Sequence, residues 1–380
     1  MRRPSLLAPL TLLLICWTTV LATAQDLAPL PPQPAGIPYP TQEWPELAAN
    51  DQLRGKVDAI LARAFEGDRP PSLARTRALL VVQGGRIVAE RYSDGISKDT
   101  RLQSWSMSKS FLHAALGIAV ADGKLDPASP APVPEWQDKS DPRHAITLRQ
   151  LAQMTSGLAF TENYGDPYGE AMQMLFGAGS GDVGHAAASL PATHEPGTYW
   201  FYSSSSANIV SRALRDALGG REAYSNFVHA RLFAPLGIKS AVPEFDASGT
   251  WIGSSYVHAT ARDFARFGLL YLRGGLWDGK QIVPRDWVDF ARTPTLASKG
   301  LYGALFWLNA PNPDTGAPMI AAELPTDMFM ARGFGGQFIA IVPSRDAIIV
   351  MLNADYSSDN KAIVALVADV LAALPQPHGA

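Results

Sequence analysis

The sequence predicts an α+β fold, in which an antiparallel sheet is flanked by helices and a mostly helical domain is inserted. Two observations lead to this prediction: strand-like runs lie towards both ends of the chain, and helix-like runs fill its middle. The chain has 380 residues, 47% of them hydrophobic, which is enough for a large buried core. We predict an α/β sheet domain at 51–125 and 296–380, and a mostly helical domain at 126–295.

The beginning of the chain is typical of a secretory signal peptide. It has a cationic start at residues 1–3, an apolar run at 6–21, and a small-residue cleavage site that ends at Ala24. A retained membrane anchor is the less favoured alternative, because the run is short and Pro9 interrupts it. Cys16 is the only cysteine, so the mature chain would contain no disulfide and no thiol. We therefore expect a bacterial periplasmic protein with no membrane attachment after cleavage.

The remaining elements follow in order along the chain. Residues 25–50 form a proline-rich leader, which we expect to be an extended linker or a strap across the body. Residues 78–92 predict a hairpin, because two apolar runs flank a pair of glycines. Capping residues and periodic apolar runs predict helices at 147–155, 204–218, 259–273 and 358–374. Apolar runs predict strands at 301–309, 329–332, 337–342 and 347–353.

The pattern Ser106-Met107-Ser108-Lys109 stands at the head of an apolar run, 111–121, that predicts a buried helix. Residues three apart share one face of a helix, so Ser106 and Lys109 should lie side by side. The first N–H groups of a helix have no partner within it. A hydroxyl, an amine that can take its proton, and free N–H donors would then lie within one turn. Those are the groups that covalent acyl transfer needs.

Two later segments could complete such a site. Tyr202 stands just before a predicted helix, where a nearby cation such as Lys109 would lower the pKa of its phenol and allow it to shuttle a proton. The glycine-rich segment 332–337 leads into a strand, and glycine there marks the close approach of a backbone or a ligand. The N–H of Gln337 could then face the N–H of Ser106 across a carbonyl oxygen. Taken alone, each segment also fits a plain alternative, a core tyrosine or a tight corner.

Together these residues resemble a known family. Ser106-x-x-Lys109, Tyr202-x-Ser204 and Phe334-Gly335-Gly336, in this order, are similar to the motifs of serine β-lactamases and penicillin-recognising enzymes. The resemblance is greatest to the class C-like branch, which includes D-aminopeptidases, carboxylesterases and 6-aminohexanoate-dimer hydrolases. It covers about residues 79–371 and implies a β-lactamase/D,D-peptidase-like fold.

The resemblance also implies a role for each residue. Ser106 would be the acylated nucleophile, Lys109 would be its base, and Tyr202 would return the proton to the leaving group. The N–H groups of Ser106 and Gln337 would form the oxyanion hole. No metal and no cofactor would be needed.

Two departures from the family pattern bear on the substrate. Lactamases and D,D-peptidases carry lysine or histidine where this chain has Phe334, so the resemblance favours the esterase and oligomer-hydrolase branches over β-lactam turnover. Arg332 lies two residues earlier on the same strand face and could supply the charge, although a solvated edge arginine is the favoured interpretation. Ser204 stands where class C lactamases have asparagine.

The substrate pocket is predicted to be lined largely by aromatic side chains. The loop 162–168 resembles the loop that borders the pocket in oligomer hydrolases, with plain loop packing as the alternative. The predicted pocket residues are Trp105, Tyr164, Tyr168, Ser204, Tyr256, Trp307, Phe334, Gly335 and Gly336.

Other classes of function are disfavoured. A net charge of −3 without a basic block gives no reason to expect nucleic acid. The seven histidines have no metal-ligand spacing, and the chain has no Gly-x-Ser-x-Gly elbow. We therefore predict a periplasmic serine hydrolase that cleaves a small-molecule ester or a small linear amide. The alternatives are a β-lactamase or D,D-peptidase, and a non-catalytic binding protein with the same fold.

Overall fold

A computed structural model describes residues 27–354 and 359–377 of the chain. The predicted signal peptide and Cys16 lie outside these residues. The described strands are β1 Thr76–Gln83, β2 Arg86–Tyr92, β3 Leu102–Gln103, β4 Val242–Pro243, β5 Val257–Ala259, β6 Leu276–Trp277, β7 Lys280–Gln281, β8 Trp307–Leu308, β9 Phe329–Gly333, β10 Gln337–Val342 and β11 Ala347–Asn353.

A six-stranded sheet forms the centre of the fold. Its strand order is β2–β1–β11–β10–β9–β8, and every neighbouring pair is antiparallel. The first hairpin therefore pairs directly with the last strand, so that Leu80 lies opposite Val350. A small sheet of order β3–β5–β4 lies beside the start of the helix Ser108–Ala121. The predicted antiparallel sheet, assembled from both ends of the chain, is confirmed.

Helices occupy both faces of this sheet. The described helices of the whole fold are α1 Gln52–Ala62, α2 Pro71–Ala74, α3 Ser108–Ala121, α4 Leu148–Ala152, α5 Glu170–Phe176, α6 Val183–Ala188, α7 Ser204–Leu218, α8 Arg221–Val228, α9 Ala234–Leu236, α10 Ala261–Leu272, α11 Arg285–Arg292 and α12 Lys361–Ala373. A π-helical turn, His229–Phe233, joins α8 to α9. Among the residues that the structure describes, no helix is long and apolar enough to cross a bilayer.

The sheet is buried on both faces, and alternate residues of each strand enter two different cores. In β1, Leu80 and Val82 pack with α3 and α10, whereas Leu79 and Val81 pack with α1 and α12. Because side chains alternate across a strand, a sheet covered on both faces needs apolar residues at every position. This explains why the strands of the sheet are continuous apolar runs in the sequence.

The predicted strand at 301–309 is much shorter in the structure. Only β8 is a strand within it. Leu305 has a φ of 54°, and its N–H donates to the Ala152 carbonyl at 2.9 Å, which turns the chain out of strand geometry. The run is apolar because it is buried, and burial alone does not distinguish a strand from a packed loop.

Helix α10 shows how closely the two predicted domains are joined. It lies within 126–295, yet it packs on the sheet, where an added Cβ at Gly268 would stand 2.9 Å from both Ile339 and Ile348. The absence of a side chain at this position lets the helix lie close to the strands. The boundaries between the two domains stay a prediction.

The described part of the leader, 27–50, is a strap across the body. Arg266 Nε donates to the Pro40 carbonyl at 2.7 Å, and Arg273 Nε donates to Gln33 Oε1 at 2.8 Å. Both arginines belong to α10 or its C-cap. The strap therefore satisfies the hydrogen-bonding needs of side chains that are buried in the fold.

Candidate active site

The predicted nucleophile lies in a tight turn at the start of α3. Residues Trp105–Met107 form a 3-10 turn that leads directly into the helix. Just before it, the Ser104 N–H donates to the Val257 carbonyl at 2.8 Å, which ties the turn to β5. Trp105 has a φ of 45°, a left-handed conformation that is costly for a tryptophan. The small sheet and the helix together fix the backbone at Ser106.

Lys109 is buried beneath this turn and its ammonium group has three acceptors. Its Nζ donates to Ser106 Oγ at 3.0 Å, to Ser204 Oγ at 2.9 Å and to the Ser254 carbonyl at 2.8 Å. Burial lowers the pKa of Lys109 to about 8, although the charge of Glu162 acts in the opposite direction. The amine is therefore close to Ser106 and can be neutral near physiological pH.

Ser204 connects Lys109 to an acidic residue. Its hydroxyl donates to Glu162 Oε1 at 2.6 Å, and its N–H donates to Glu162 Oε2 at 2.7 Å. Ser204 begins α7, and Asn208, one turn later, accepts a hydrogen bond from the Ser254 N–H at 3.2 Å. A single helix therefore positions two of the three acceptors of Lys109.

Tyr202 lies beside Lys109, but its ring and not its hydroxyl faces the cation. Lys109 Nζ stands 4.8 Å from the centre of the Tyr202 ring. Burial, and then the charge of Glu162, raise the pKa of the phenol well above its usual value, and an interaction with Ser106 opposes this only in part. The expected lowering of the Tyr202 pKa is therefore wrong. A protonated hydroxyl is suited to donating a proton to a leaving group.

The β9–β10 hairpin carries the predicted second oxyanion donor. Gln337 pairs with Gly333 across the hairpin, and its side-chain amide donates to the Phe334 carbonyl at 3.2 Å. The glycines at 335–336 form the turn, with φ of 83° and 78°. The hairpin approaches the nucleophile turn at Gly333, where an added Cβ would stand 2.3 Å from the Ser104 carbonyl oxygen. The role of the Gln337 N–H in an oxyanion hole stays a prediction.

Aromatic rings line one side of this site. The Trp105 ring lies 5.8 Å from Tyr256 and 5.8 Å from Phe334, and Tyr164 lies 5.6 Å from Phe334. The structure brings these four predicted pocket residues together around the nucleophile turn. Phe334 itself is 41% exposed, so part of this surface is open to a ligand.

The two other aromatic pocket predictions differ in outcome. Trp307 lies against Tyr202, with 4.9 Å between the ring centres. Tyr168 is 87% exposed, and it contacts none of the other rings in the described part of the chain. An Asx turn, in which the Tyr168 N–H donates to Asp166 Oδ1 at 2.9 Å, holds it on the outer side of the loop. The structure does not bring Tyr168 into the site.

Two contributors were missed by the sequence interpretation. Glu162 lies in the loop that was assigned to the pocket, but only the fold shows that its carboxylate faces Ser204. Ser254 acts through its backbone carbonyl, which no sequence motif reveals. An acidic residue two positions before Tyr164 was the one available signal for the first of them.

The structure brings Ser106, Lys109 and Tyr202 together, an arrangement of groups suited to acyl transfer. Among the described residues, no group of three or more His, Cys, Asp or Glu side chains could hold a metal ion. A family model described as beta-lactamase matches residues 71–372. The chain belongs to the beta-lactamase family.

One curated relative is named as a hydrolase. The chain is 29% identical over 245 residues to the 6-aminohexanoate-dimer hydrolase of Paenarthrobacter ureafaciens. The alignment covers 62% of this chain and 61% of the relative, so it spans less than two thirds of the relative's length. The prediction of a serine hydrolase of this family agrees with these matches.

Solved structures show the same fold at low sequence identity. A candidate 6-aminohexanoate-dimer hydrolase from Bacillus anthracis has a TM-score of 0.68 and 20% identity, covering 91% of both chains. A family VIII carboxylesterase has a TM-score of 0.63 and 14% identity, and a class C beta-lactamase variant has 0.59 and 16%. Each of these two alignments covers 86% of this chain and 99% of the other. The predicted family resemblance and the predicted fold class are confirmed.

Proposed function

We propose that this beta-lactamase-family chain is a periplasmic serine hydrolase that cleaves an ester or a small linear amide through an acyl-enzyme on Ser106. The observation that carries the proposal is the 3.0 Å contact between the buried Lys109 Nζ and the Oγ of the half-buried Ser106. A lysine whose pKa is lowered to about 8 can accept the hydroxyl proton. The signal-like segment at 1–24 supports the location.

The acylation step follows from this geometry. Neutral Lys109 takes the proton of Ser106 while Oγ bonds to the substrate carbonyl carbon, and the oxyanion that forms is bound by N–H groups. The Tyr202 hydroxyl then gives its proton to the departing alcohol or amine as that bond breaks. A water molecule then carries the proton from the Lys109 ammonium to the Tyr202 oxygen, because the ring and not the hydroxyl of Tyr202 faces Lys109. A water molecule later attacks the Ser106 ester, which releases the acid and restores the hydroxyl.

The names of the similar proteins support an ester or an amide as the bond that is cleaved. One relative is named 6-aminohexanoate-dimer hydrolase, and one structural neighbour is a family VIII carboxylesterase. An aromatic residue, Phe334, stands where the resemblance places the lysine of lactamases and D,D-peptidases. The β-lactamase or D,D-peptidase alternative therefore has less support.

The test compares two serines of the same motif. Ser106→Ala should lower kcat/KM for p-nitrophenyl butyrate by at least roughly 1,000-fold, because it removes the atom that is acylated. Ser108→Ala is the matched control, since Ser108 lies two residues away, is buried, and its hydroxyl has no hydrogen-bond partner among the described residues. Ser108→Ala should retain activity within a fewfold range. Equal activity in Ser106→Ala and the unmodified chain would refute the mechanism.

Intact-mass measurement separates the alternatives. The chain is exposed to a fluorophosphonate and, separately, to penicillin G. A fluorophosphonate adduct on Ser106 without a lasting penicilloyl adduct supports the esterase or amidase. A penicilloyl adduct on Ser106 would indicate a cell-wall function instead, and no labelling by either compound would indicate a non-catalytic binding protein.

A further inference from the structure

The serine two positions before the nucleophile is fully buried. Ser104 precedes the turn that carries Ser106, and no step of the proposed mechanism uses its side chain. A buried hydroxyl is costly unless it is hydrogen-bonded. The partners of the Ser104 hydroxyl therefore indicate what this residue contributes to the site.

The Ser104 hydroxyl links the nucleophile turn to β5. It accepts a hydrogen bond from the Val257 N–H at 3.0 Å and donates to the Trp105 carbonyl at 2.8 Å. The carbonyl of Ser255 is farther away, at 3.4 Å. Because a hydroxyl has one hydrogen to donate, the nearer Trp105 carbonyl is its main acceptor.

The Trp105 carbonyl belongs to the same peptide group as the Ser106 N–H. This group is planar and its carbonyl and N–H point in opposite directions, so a bond that fixes the carbonyl also fixes the direction of the N–H. The Ser108 N–H donates to the Trp105 carbonyl as well. Hydrogen bonds to a carbonyl polarise its peptide group, which makes the N–H at the other end a stronger donor.

The backbone of Trp105 needs this support because its conformation is unfavourable. Its φ of 45° lies in the left-handed region, and such strain persists only where surrounding contacts hold it. Ser104 is itself held by the bond from its N–H to the Val257 carbonyl at 2.8 Å. On the other side, an added Cβ at Gly333 would stand 2.3 Å from the Ser104 carbonyl oxygen. Without the Ser104 hydroxyl, the strained peptide loses the side-chain bond that sets its plane.

We propose that Ser104 is a positioning residue that directs the Ser106 N–H at the substrate carbonyl oxygen. The inference rests on the proposed function and adds to it a residue that does not touch the substrate. Negative charge develops on the carbonyl oxygen as Ser106 Oγ bonds to the carbon, so a well-directed N–H stabilises the transition state more than the bound substrate. Loss of the Ser104 hydroxyl should therefore lower kcat and leave KM nearly unchanged.

The experiment compares an ester with its thiono counterpart. p-Nitrophenyl butyrate and O-(p-nitrophenyl) thionobutyrate differ only in the atom, oxygen or sulfur, on which the negative charge develops. Sulfur is a weak hydrogen-bond acceptor, so the thionoester gains little from the Ser106 N–H. In Ser104→Ala, kcat for the oxygen ester should fall about tenfold or more, whereas kcat for the thionoester should change less than about threefold.

Ser110→Ala is the matched control. Ser110 lies in α3, is also buried, and its hydroxyl donates to a backbone carbonyl, that of Leu305, at 2.8 Å. Both substitutions therefore remove one buried hydroxyl that bonds to a carbonyl, but only Ser104 acts on the peptide group of Ser106. Ser110→Ala should leave the oxygen-to-sulfur ratio of the kcat values unchanged, even where thermal melting shows a similar loss of stability.

Inhibition by butylboronic acid gives a second readout that needs no turnover of the thionoester. Its tetrahedral adduct on Ser106 places an oxygen where the substrate oxyanion would lie. Ser104→Ala should raise the inhibition constant about tenfold, because the N–H that binds this oxygen is no longer directed at it. Ser110→Ala should leave the inhibition constant unchanged.

Ser104→Cys is the variant to use if thermal melting shows that Ser104→Ala does not fold. A thiol is a weaker donor than a hydroxyl. Ser104→Cys should therefore lower the oxygen-to-sulfur ratio and raise the inhibition constant in the same direction as Ser104→Ala, by smaller factors.

Failure of this inference can be distinguished from failure of the proposed function. If the folded variant of Ser104 keeps the ratio and the inhibition constant of the unmodified chain, or if Ser110→Ala changes them equally, the inference is overturned and the hydrolase stands. If the folded, unmodified chain does not hydrolyse the oxygen ester, the proposed function itself fails.

Discussion

At the scale of single residues, the chemistry depends on two opposing effects on the pKa of Lys109. Burial favours its neutral form and lowers its pKa to about 8. The carboxylate of Glu162 favours the charged form, and it is joined to the amine through the Ser204 hydroxyl. The site can therefore hold a lysine that is neutral often enough to act as a base and is still oriented by hydrogen bonds.

The first residue-scale prediction concerns pH. Because only neutral Lys109 can accept the Ser106 proton, kcat/KM for a neutral ester should rise with pH through about 8 and then level off. Glu162→Gln removes the charge that raises the Lys109 pKa, so this rise should move to lower pH by about half a unit or more. The measurement is the pH profile of p-nitrophenyl butyrate hydrolysis.

A second glutamate controls for the loss of charge in general. Glu170 is exposed at the start of α5 and takes no part in the hydrogen bonds of Lys109. Glu170→Gln should leave the profile where it was. If the rise in kcat/KM of Glu162→Gln occurs at the same pH as in the unmodified chain, Glu162 does not act on the pKa of Lys109.

At the scale of elements, α3 is positioned by a glycine that normally weakens a helix. An added Cβ at Gly117 would stand 2.1 Å from Trp287 Cδ1, so α3 and α11 approach closely at this point. The Trp287 indole N–H also donates to the His113 carbonyl at 2.9 Å, which fixes the ring. Gly117 therefore sets the position of the helix that carries Lys109.

Two glycine substitutions test this packing. Gly117→Ala should lower the free energy of unfolding by about 1–3 kcal/mol, because the extra methyl group displaces a buried indole. Gly55→Ala, in α1, should raise it by roughly 0.5–1 kcal/mol, because nothing lies within 4 Å of an added Cβ there. Urea unfolding of both variants measures whether the two changes in the free energy of unfolding have opposite signs. A stabilising Gly117→Ala would show that α3 and α11 can separate without cost.

At the scale of the whole molecule, Arg273 joins three parts of the chain. It lies at the end of α10, donates to Gln33 of the strap, and pairs with Asp346 in the turn between β10 and β11. Both side chains of the pair are buried, 1% and 9% exposed. Burial raises the pKa of Asp346, and Arg273 opposes that rise. The strap, α10 and the sheet are therefore connected through the guanidinium group of Arg273.

Removal of Arg273 should destabilise the whole fold. Arg273→Met leaves a buried carboxylate without its cation, which should cost roughly 3–5 kcal/mol of unfolding free energy at pH 7. In Arg273→Met the folded-state pKa of Asp346 rises further above its value in the unfolded chain. The protonated carboxyl therefore favours the folded state at low pH, and this contribution to stability is lost as pH rises through the folded-state pKa. The difference from the unmodified chain should therefore shrink between pH 7 and pH 4.5 in urea unfolding.

An exposed ion pair is the control for Arg273→Met. Arg231 pairs with Asp122 on the surface, and its side chain is 48% exposed. Arg231→Met should cost no more than about 1 kcal/mol and should show little pH dependence. Equal losses in the two variants would contradict the proposed coupling through Arg273.

Much of the site could be predicted because its parts are local in sequence. Ser106 and Lys109 lie one turn apart, so helix geometry alone brings them together. Ser204 and Tyr202 were identified by their position at the start of α7, whose bounds of 204–218 the sequence predicted correctly. Local hydrogen bonding and apolar periodicity determine such elements before any tertiary contact is made.

What the sequence by itself determined is therefore the main strands other than 301–309, the sheet built from both ends, and the residues one helical turn apart. The tertiary structure alone decided that Glu162 faces Ser204, that Lys109 lies over the Tyr202 ring, and that Arg332 lies over the Trp307 ring. These features depend on burial and on the relative placement of distant loops. A pKa follows from the environment that folding creates around a group, and no spacing along the chain specifies that environment.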